Sequence, residues 1–169
     1  MQRLEMLARY KAWANERLYA TLAGISDTDL AAPSPIFAGS ILRTLNHVYL
    51  MDVVWKSHLL GVPHGLTTRN PEATSPLLEL RGAQREIDAW YIDYAAAMTP
   101  DTCDEVVHFT FIGGGEGTMR REDILLGSTP FSRTIGLRLR TSDPRRPVFV
   151  ASWDCGTVRC SRIRRYELH

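Results

Sequence analysis

His47 stands in the middle of the apolar run "ILRTLNHVYLMDVVWKSHLL", residues 41–60, with Leu50, Met51 and Val54 as its neighbours on the same helical face. A buried imidazole in such a place is either a core group hydrogen-bonded to a neighbour or a ligand to a metal ion. A catalytic zinc-type site needs about three converging protein ligands and an open position, so His47 alone cannot build one. His58 returns to nearly the same face but, at about 1.5 Å per residue, lies roughly 16 Å further along the axis. The two cannot share an ion. Asp52 is rotated well off that face and is expected at the helix surface or paired with a nearby arginine. His64 and His169 fall in a loop and at the terminus, and His108 on the solvated face of a short strand, where no second ligand type accompanies it.

Other chemistries find less support. The run "GGGEG", residues 113–117, lacks the Lys-Ser/Thr that follows a P-loop and the GxGxxG spacing of a dinucleotide fold, and reads as a hairpin turn. There is no GxSxG elbow. Cys103, Cys155 and Cys160 are odd in number and lack CxxC spacing, which argues for reduced thiols rather than disulfides or a zinc cluster. Trp13, Trp55 and Trp90 fall on helix faces and are expected in the core.

The elements that must position these residues are mainly helical. A first helix over residues 3–23 places Leu7, Tyr10, Ala14, Leu18 and Leu22 on one face. "ISDTDLAAPSPIFAG" follows as a connection. Ser40 can cap a second helix over 40–60, apolar around much of its circumference and therefore largely buried. A loop from Gly61 leads to a third helix over 76–99, opened by Pro76, with Leu80, Ala83, Ile87, Trp90, Tyr94 and Ala97 three and four apart. "VVHFTF" then alternates, placing Val107, Phe109 and Phe111 on one face of a short hairpin. Thr118 can cap a fourth helix starting over 119–126, with Glu122 and Asp123 in its first turn. Gly127, Pro130, Gly136 and Pro144 interrupt that helix early.

A length of 169 residues suits one compact core. No run of about 18 apolar residues marks a membrane span, and the charged N-terminus does not read as a signal peptide, so a soluble cytoplasmic protein is expected. The net charge of +1 conceals an asymmetry. Residues 1–126 hold 11 Lys+Arg against 16 Asp+Glu, whereas residues 127–169 hold 9 Arg, no Lys and 3 acids.

Three segments in order, "YKAWANERLYATLAGISDTDL", "FAGSILRTLNHVYLMDVVW" and "VHFTFIGGGEGTMRREDILL", resemble the DinB-like family of bacterial proteins, named for DNA-damage inducibility. The resemblance covers about residues 4–126 and is most specific at "LNHVYLMDVVW" and the Gly-rich turn. It implies an antiparallel four-helix bundle, often dimeric, with a divalent-metal site of three histidines for nickel or zinc. It further implies transferase, isomerase or hydrolase-type chemistry on a small molecule, assisted by a low-molecular-weight thiol. His47 matches the ligand of the second helix. The other two ligands belong to a fourth-helix motif, N-H-x-x-Y-H-R-G, soon after an "ILL" like that at 124–126. Counted from Leu126 they fall at Phe131 and Ile135, neither of which carries a donor atom, so one ligand of three is present and a metal-impaired or non-catalytic bundle is expected.

Residues 127–169 admit three explanations. A basic arm for nucleic acid is disfavoured because its arginines are scattered among Val, Phe, Trp and Cys. A divergent C-terminus would permit a strand at "PVFVASW". The favoured explanation is a changed reading frame after Leu126. Regrouping the codons of Thr134, Ile135 and Gly136 gives triplets that allow Tyr, His and Arg, the family's Y-H-R in position. The same regrouping at Phe131 cannot encode His, so a simple shift does not restore the whole motif.

Overall fold

The computed structural model describes residues 2–36 and 38–128 and the backbone of strands 136–140 and 148–152. Among these the chain is mainly helical, as expected. The helices are α1 (Gln2–Leu22), α2 (Asp27–Ala31), α3 (Ile41–Leu60), α4 (Leu77–Ala96), α5 (Pro100–Asp104) and α6 (Arg121–Ser128). The strands are β1 (Val106–Thr110), β2 (Glu116–Arg120), β3 (Gly136–Arg140) and β4 (Val148–Ser152).

Local signals set most of the boundaries. The Ser40 hydroxyl accepts from the Arg43 amide at 3.2 Å and starts α3, and Gly61, at φ 67°, closes it. The connection expected after α1 contains α2, because Ser26 caps it by accepting from the Asp29 amide, a short-range signal that its acids and prolines obscured. The hairpin pairs Val106 with Arg120 and Thr110 with Glu116, and the positive φ of Gly113, Gly114 and Gly115 forms its turn. Thr118 pairs with His108 inside this ladder, so it is a strand residue and not the expected cap. The last described helix consequently starts at Arg121 rather than near Met119. Strand β4 lies where "PVFVASW" permits one, antiparallel to β3.

The side-chain partners fix helix directions. Glu16 meets Arg81 and Arg85, while Lys11 and Asn15 meet Asp88, so α1 and α4 run antiparallel. Asp52 accepts from Gln84 and Tyr91, and Leu59 from Tyr94, so α3 and α4 run in the same direction. The uniformly antiparallel arrangement expected from the sequence therefore fails for this pair. The physical reason is that the N-terminal ends of α3 and α4, at Leu42, Leu45, Leu77 and Leu80, share one apolar cluster, and the connection from Gly61 to Pro76 is long enough to carry the chain back along α3 before α4 begins.

Burial departs from the apolar stripes in an instructive way. On α1 the buried residues are Leu4, Ala8, Lys11, Asn15, Tyr19 and Leu22, about one position away from the expected face. Trp13 is 54% exposed and carries Arg17 against its ring, so it is not a core residue. Trp55 and Trp90 are half-buried at the core's edge. Two apolar clusters result. Leu4, Ala8, Leu59, Tyr91, Phe109 and Ile124 represent one, and Tyr19, Leu22, Leu42, Leu45, Leu77 and Leu80 the other. Between them, at mid-height of α1, α3 and α4, lies a layer of buried polar side chains.

Candidate functional site

His47 projects from α3 and is 4% exposed. Its Nδ1 donates to the carbonyl of Arg69, 2.9 Å away in the loop that leads to α4. A carbonyl can only accept, so Nδ1 carries a proton. An Nδ1–H held by a backbone carbonyl is also how metal-binding histidines are oriented. This arrangement suits a ligand and a structural histidine alike; the remaining donors decide between them.

Those donors lie elsewhere. His58 is buried, stacked on Phe109 at 4.4 Å between ring centroids, and edge-on to His64 at 5.8 Å. Burial, and then the proximity of His64, pushes its pKa down to about 4, so it is a neutral core histidine. The Nδ1 of His64 accepts from the Leu66 amide. His108 is exposed on β1, as its strand position implied. His169, Phe131 and Ile135 lie outside the described residues.

Asp52 corrects the sequence reading most sharply. It is 1% exposed, because α1 supplies it with an ammonium group: Lys11 Nζ lies 2.6 Å from Oδ1, and Gln84 Nε2 donates to Oδ2 at 2.9 Å. Lys11 is equally buried, sits 4.3 Å from the centre of the Tyr91 ring, and is 3.9 Å from Asp88. Asp88 accepts twice from Asn15, at 2.8 and 3.1 Å, and once from Gln84 at 3.1 Å. Burial raises the Asp88 pKa, and Lys11 opposes that rise. Sequence reasoning missed Lys11, Asn15, Gln84 and Asp88. Their only signal was a set of polar residues four apart, 11 with 15 and 84 with 88, which on a single helix looks like a solvated face.

A family model, the DinB family, matches residues 1–126, the stretch that carries both His47 and this layer. The chain belongs to the DinB family. No curated protein matches it. DinB proteins are generally associated with metal ions, and the residues of this DinB chain can be tested against that requirement. Among the described residues no group of three or more His, Cys, Asp or Glu side chains is placed to hold an ion. The carboxylates of Asp52 and Asp88 are engaged with Lys11, Asn15 and Gln84, and an ammonium group occupies the position between them. Among the described residues, then, the donors near His47 do not make up a three-histidine centre. Among the described residues of this DinB chain no helix is long and apolar enough to cross a membrane.

Proposed function

We propose that this chain retains the framework of a DinB-family metal-dependent thiol transferase, or a related hydrolase-type protein, while its metal centre is reduced to His47. In this reading α1, α3, α4 and α6 are the four helices of a bundle, supported by the closed ring of contacts in which α1 meets α4, α4 meets α3, α3 meets α6 and α6 meets α1. The observation that carries the reading is one of level. Ser128 of α6 touches Tyr91, whose hydroxyl donates to the Asp52 carbonyl, and His47 lies five residues before Asp52, about 7 Å along α3. An ideal helix extended from Ser128 would reach that level at the two positions where the family places its ligands, and the sequence has Phe131 and Ile135 there. The partners proposed with this framework are a small-molecule substrate, a low-molecular-weight thiol and a second copy of the chain, in the cytoplasm. Nickel or zinc is the ion that the intact centre would hold. Residues 127–169 are proposed to derive from a changed reading frame, on the strength of the regrouped codons at 134–136; independent sequencing of the locus that returns this frame intact would refute that part.

Elemental analysis and nickel or zinc titration of the purified chain test the main reading. The expected result is no stoichiometric metal and the same weak uptake by wild type and His47→Ala. One equivalent of bound metal that disappears on His47→Ala would overturn it.

A further inference from the structure

The outer face of α1 takes no part in the polar layer or in either apolar cluster. Met6, Tyr10, Trp13 and Arg17 each stand two residues after a buried one, Leu4, Ala8, Lys11 and Asn15. Two residues are about 200° of helix, so these four point away from the core. Met6 is 60% exposed, Tyr10 45% and Trp13 54%, and the rings of Tyr10 and Trp13 touch with their centres 5.6 Å apart. Arg3 continues the row towards the N-terminus and Arg9 flanks it, both exposed. From Arg3 to Arg17 the row runs about 21 Å along one helix.

Charge narrows the choice of occupant. The exposed residues of α1 include the three arginines and no acid. Glu5 and Glu16, the acids of this helix, are half-buried; the first pairs with Arg9, and the second with Arg81 and Arg85. Such a face attracts an anionic partner. A second copy does not supply one through the same face, because antiparallel pairing about Tyr10 brings Arg3 towards Arg17 with no acid to separate them. Two half-exposed rings and a methionine also make an apolar patch of only about 300 Å², against about 800 Å² per partner in a stable complex. A nucleic-acid strand would stack its bases on open rings, and Arg17 already lies over the Trp13 ring, 5.1 Å from its centre. A lipid surface requires neither an acid-lined groove nor an open ring face. It accepts amphipathic rings at the level of the headgroups, beside arginines whose stems lie in the apolar boundary and whose guanidinium groups reach the phosphates.

We propose that the outer face of α1 docks on an anionic phospholipid surface, with the helix axis parallel to the bilayer, Met6, Tyr10 and Trp13 entering the acyl boundary, and Arg3, Arg9 and Arg17 meeting headgroup phosphates. Neither contribution suffices alone. The apolar patch is small, and each arginine near an anionic leaflet adds only about fivefold to the affinity. Binding is therefore reversible and depends on both.

Flotation of the full chain with vesicles of phosphatidylcholine alone, and of phosphatidylcholine and phosphatidylglycerol in equal parts, tests this. The chain is expected to float with the anionic vesicles only, and less as salt rises from about 0.05 to about 0.5 M. Arg3→Gln/Arg17→Gln should weaken binding about 25-fold, and Trp13→Ser, which leaves the charge unchanged, about tenfold. Both variants alter exposed side chains only, so the fold is retained. The proposal is overturned if the anionic vesicles are not bound, or if zwitterionic vesicles are bound equally. It is overturned if both variants bind as wild type does, which would place the binding in the basic segment 127–169. It is overturned if the same variants turn a dimer into a monomer without vesicles, or if they abolish binding of a single-stranded oligonucleotide that is held more tightly than the vesicles.

Discussion

Replacing Lys11 by Met tests the account of the mid-height layer directly. Lys11 and Asp52 have side-chain exposures of 1% and 2% and are 2.6 Å apart, so neither charge can recover hydration from bulk water if its partner is removed. Met keeps most of the volume of the lysine stem and its packing against Tyr91, and removes the ammonium group alone. Asp52 would then rest on the amide of Gln84, with the second carboxylate of Asp88 sharing that amide. Breaking a buried pair on one side costs about 3–5 kcal/mol, against about 0–1 for a surface pair. For a chain of this size that corresponds to a fall in Tm of roughly 6–20 °C. Asp52→Leu should cost a similar amount, because it strands Lys11 with only the more distant Asp88. The double variant Lys11→Met/Asp52→Leu removes both charges, and its loss should be far smaller than the sum, since apolar replacement of a whole buried pair is often neutral or better. Urea denaturation of the four proteins, with a common m value, gives the coupling energy. A Lys11→Met loss below about 1 kcal/mol, the range of exposed pairs, would refute the reasoning. So would a double variant whose loss equals the sum of the single losses.

Two further perturbations follow from the β1–β2 side of the core. The His58 pKa is about 4 in the folded chain against 6.5 for the free side chain, so the unfolded chain binds the extra proton between those values. Stability from this source is complete above about pH 6.5 and is lost as pH falls towards 4; allowing for screening by nearby solvent, it amounts to about 1–2 kcal/mol. The unfolding midpoint of wild type should fall across that window and that of His58→Phe should fall less, and parallel profiles would dismiss the assignment. At Gly117 an added Cβ would lie 2.6 Å from Phe109 Cε2 and 2.9 Å from Phe111 Cε2. Gly117→Ala should therefore destabilise by about 1–3 kcal/mol in chemical denaturation, with a change of no more than about 0.5 kcal/mol counting against the close packing.

The parts of this fold legible in the sequence are those that depend on neighbouring residues. The Ser40 cap, the alternation of Val107 and Phe109, and the burial of His47 within an apolar helix all rest on short-range spacing. The α1 face could not be read this way. Apolar periodicity chose Leu7, Tyr10, Ala14 and Leu18, whereas the buried positions include Lys11 and Asn15, whose partners Asp52 and Asp88 lie 41 and 73 residues away. A hydrophobic stripe can be counted on one helix, but a polar stripe is buried only if another helix presents its complement, and a single sequence does not display that pairing. The parallel course of α3 and α4 was hidden for a related reason. It is set by which ends of the helices share an apolar cluster, and each helix looks alike from either end.

The polar layer and the two fourth-helix ligand positions implied by the family resemblance draw on different portions of the chain, and this bears on the proposal that the framework persists without those two ligands. Lys11, Asn15, Asp52, Gln84 and Asp88 all belong to α1, α3 and α4. The two ligand positions that the resemblance implies, 131 and 135, follow Leu126, far along the sequence from α1. The apolar clusters on either side of the layer would tolerate a slip of one helical turn, about 5.4 Å, better than the layer would. Such a slip moves Lys11 to the level of Val48 or Lys56 on α3 and leaves Asp52 without its ammonium group, at a cost of several kcal/mol. Register among the three long helices is therefore held by polar pairing within residues 2–96, and none of those pairs involves position 131 or 135. The proposed loss of the two fourth-helix ligands is thus compatible with retention of the helical framework.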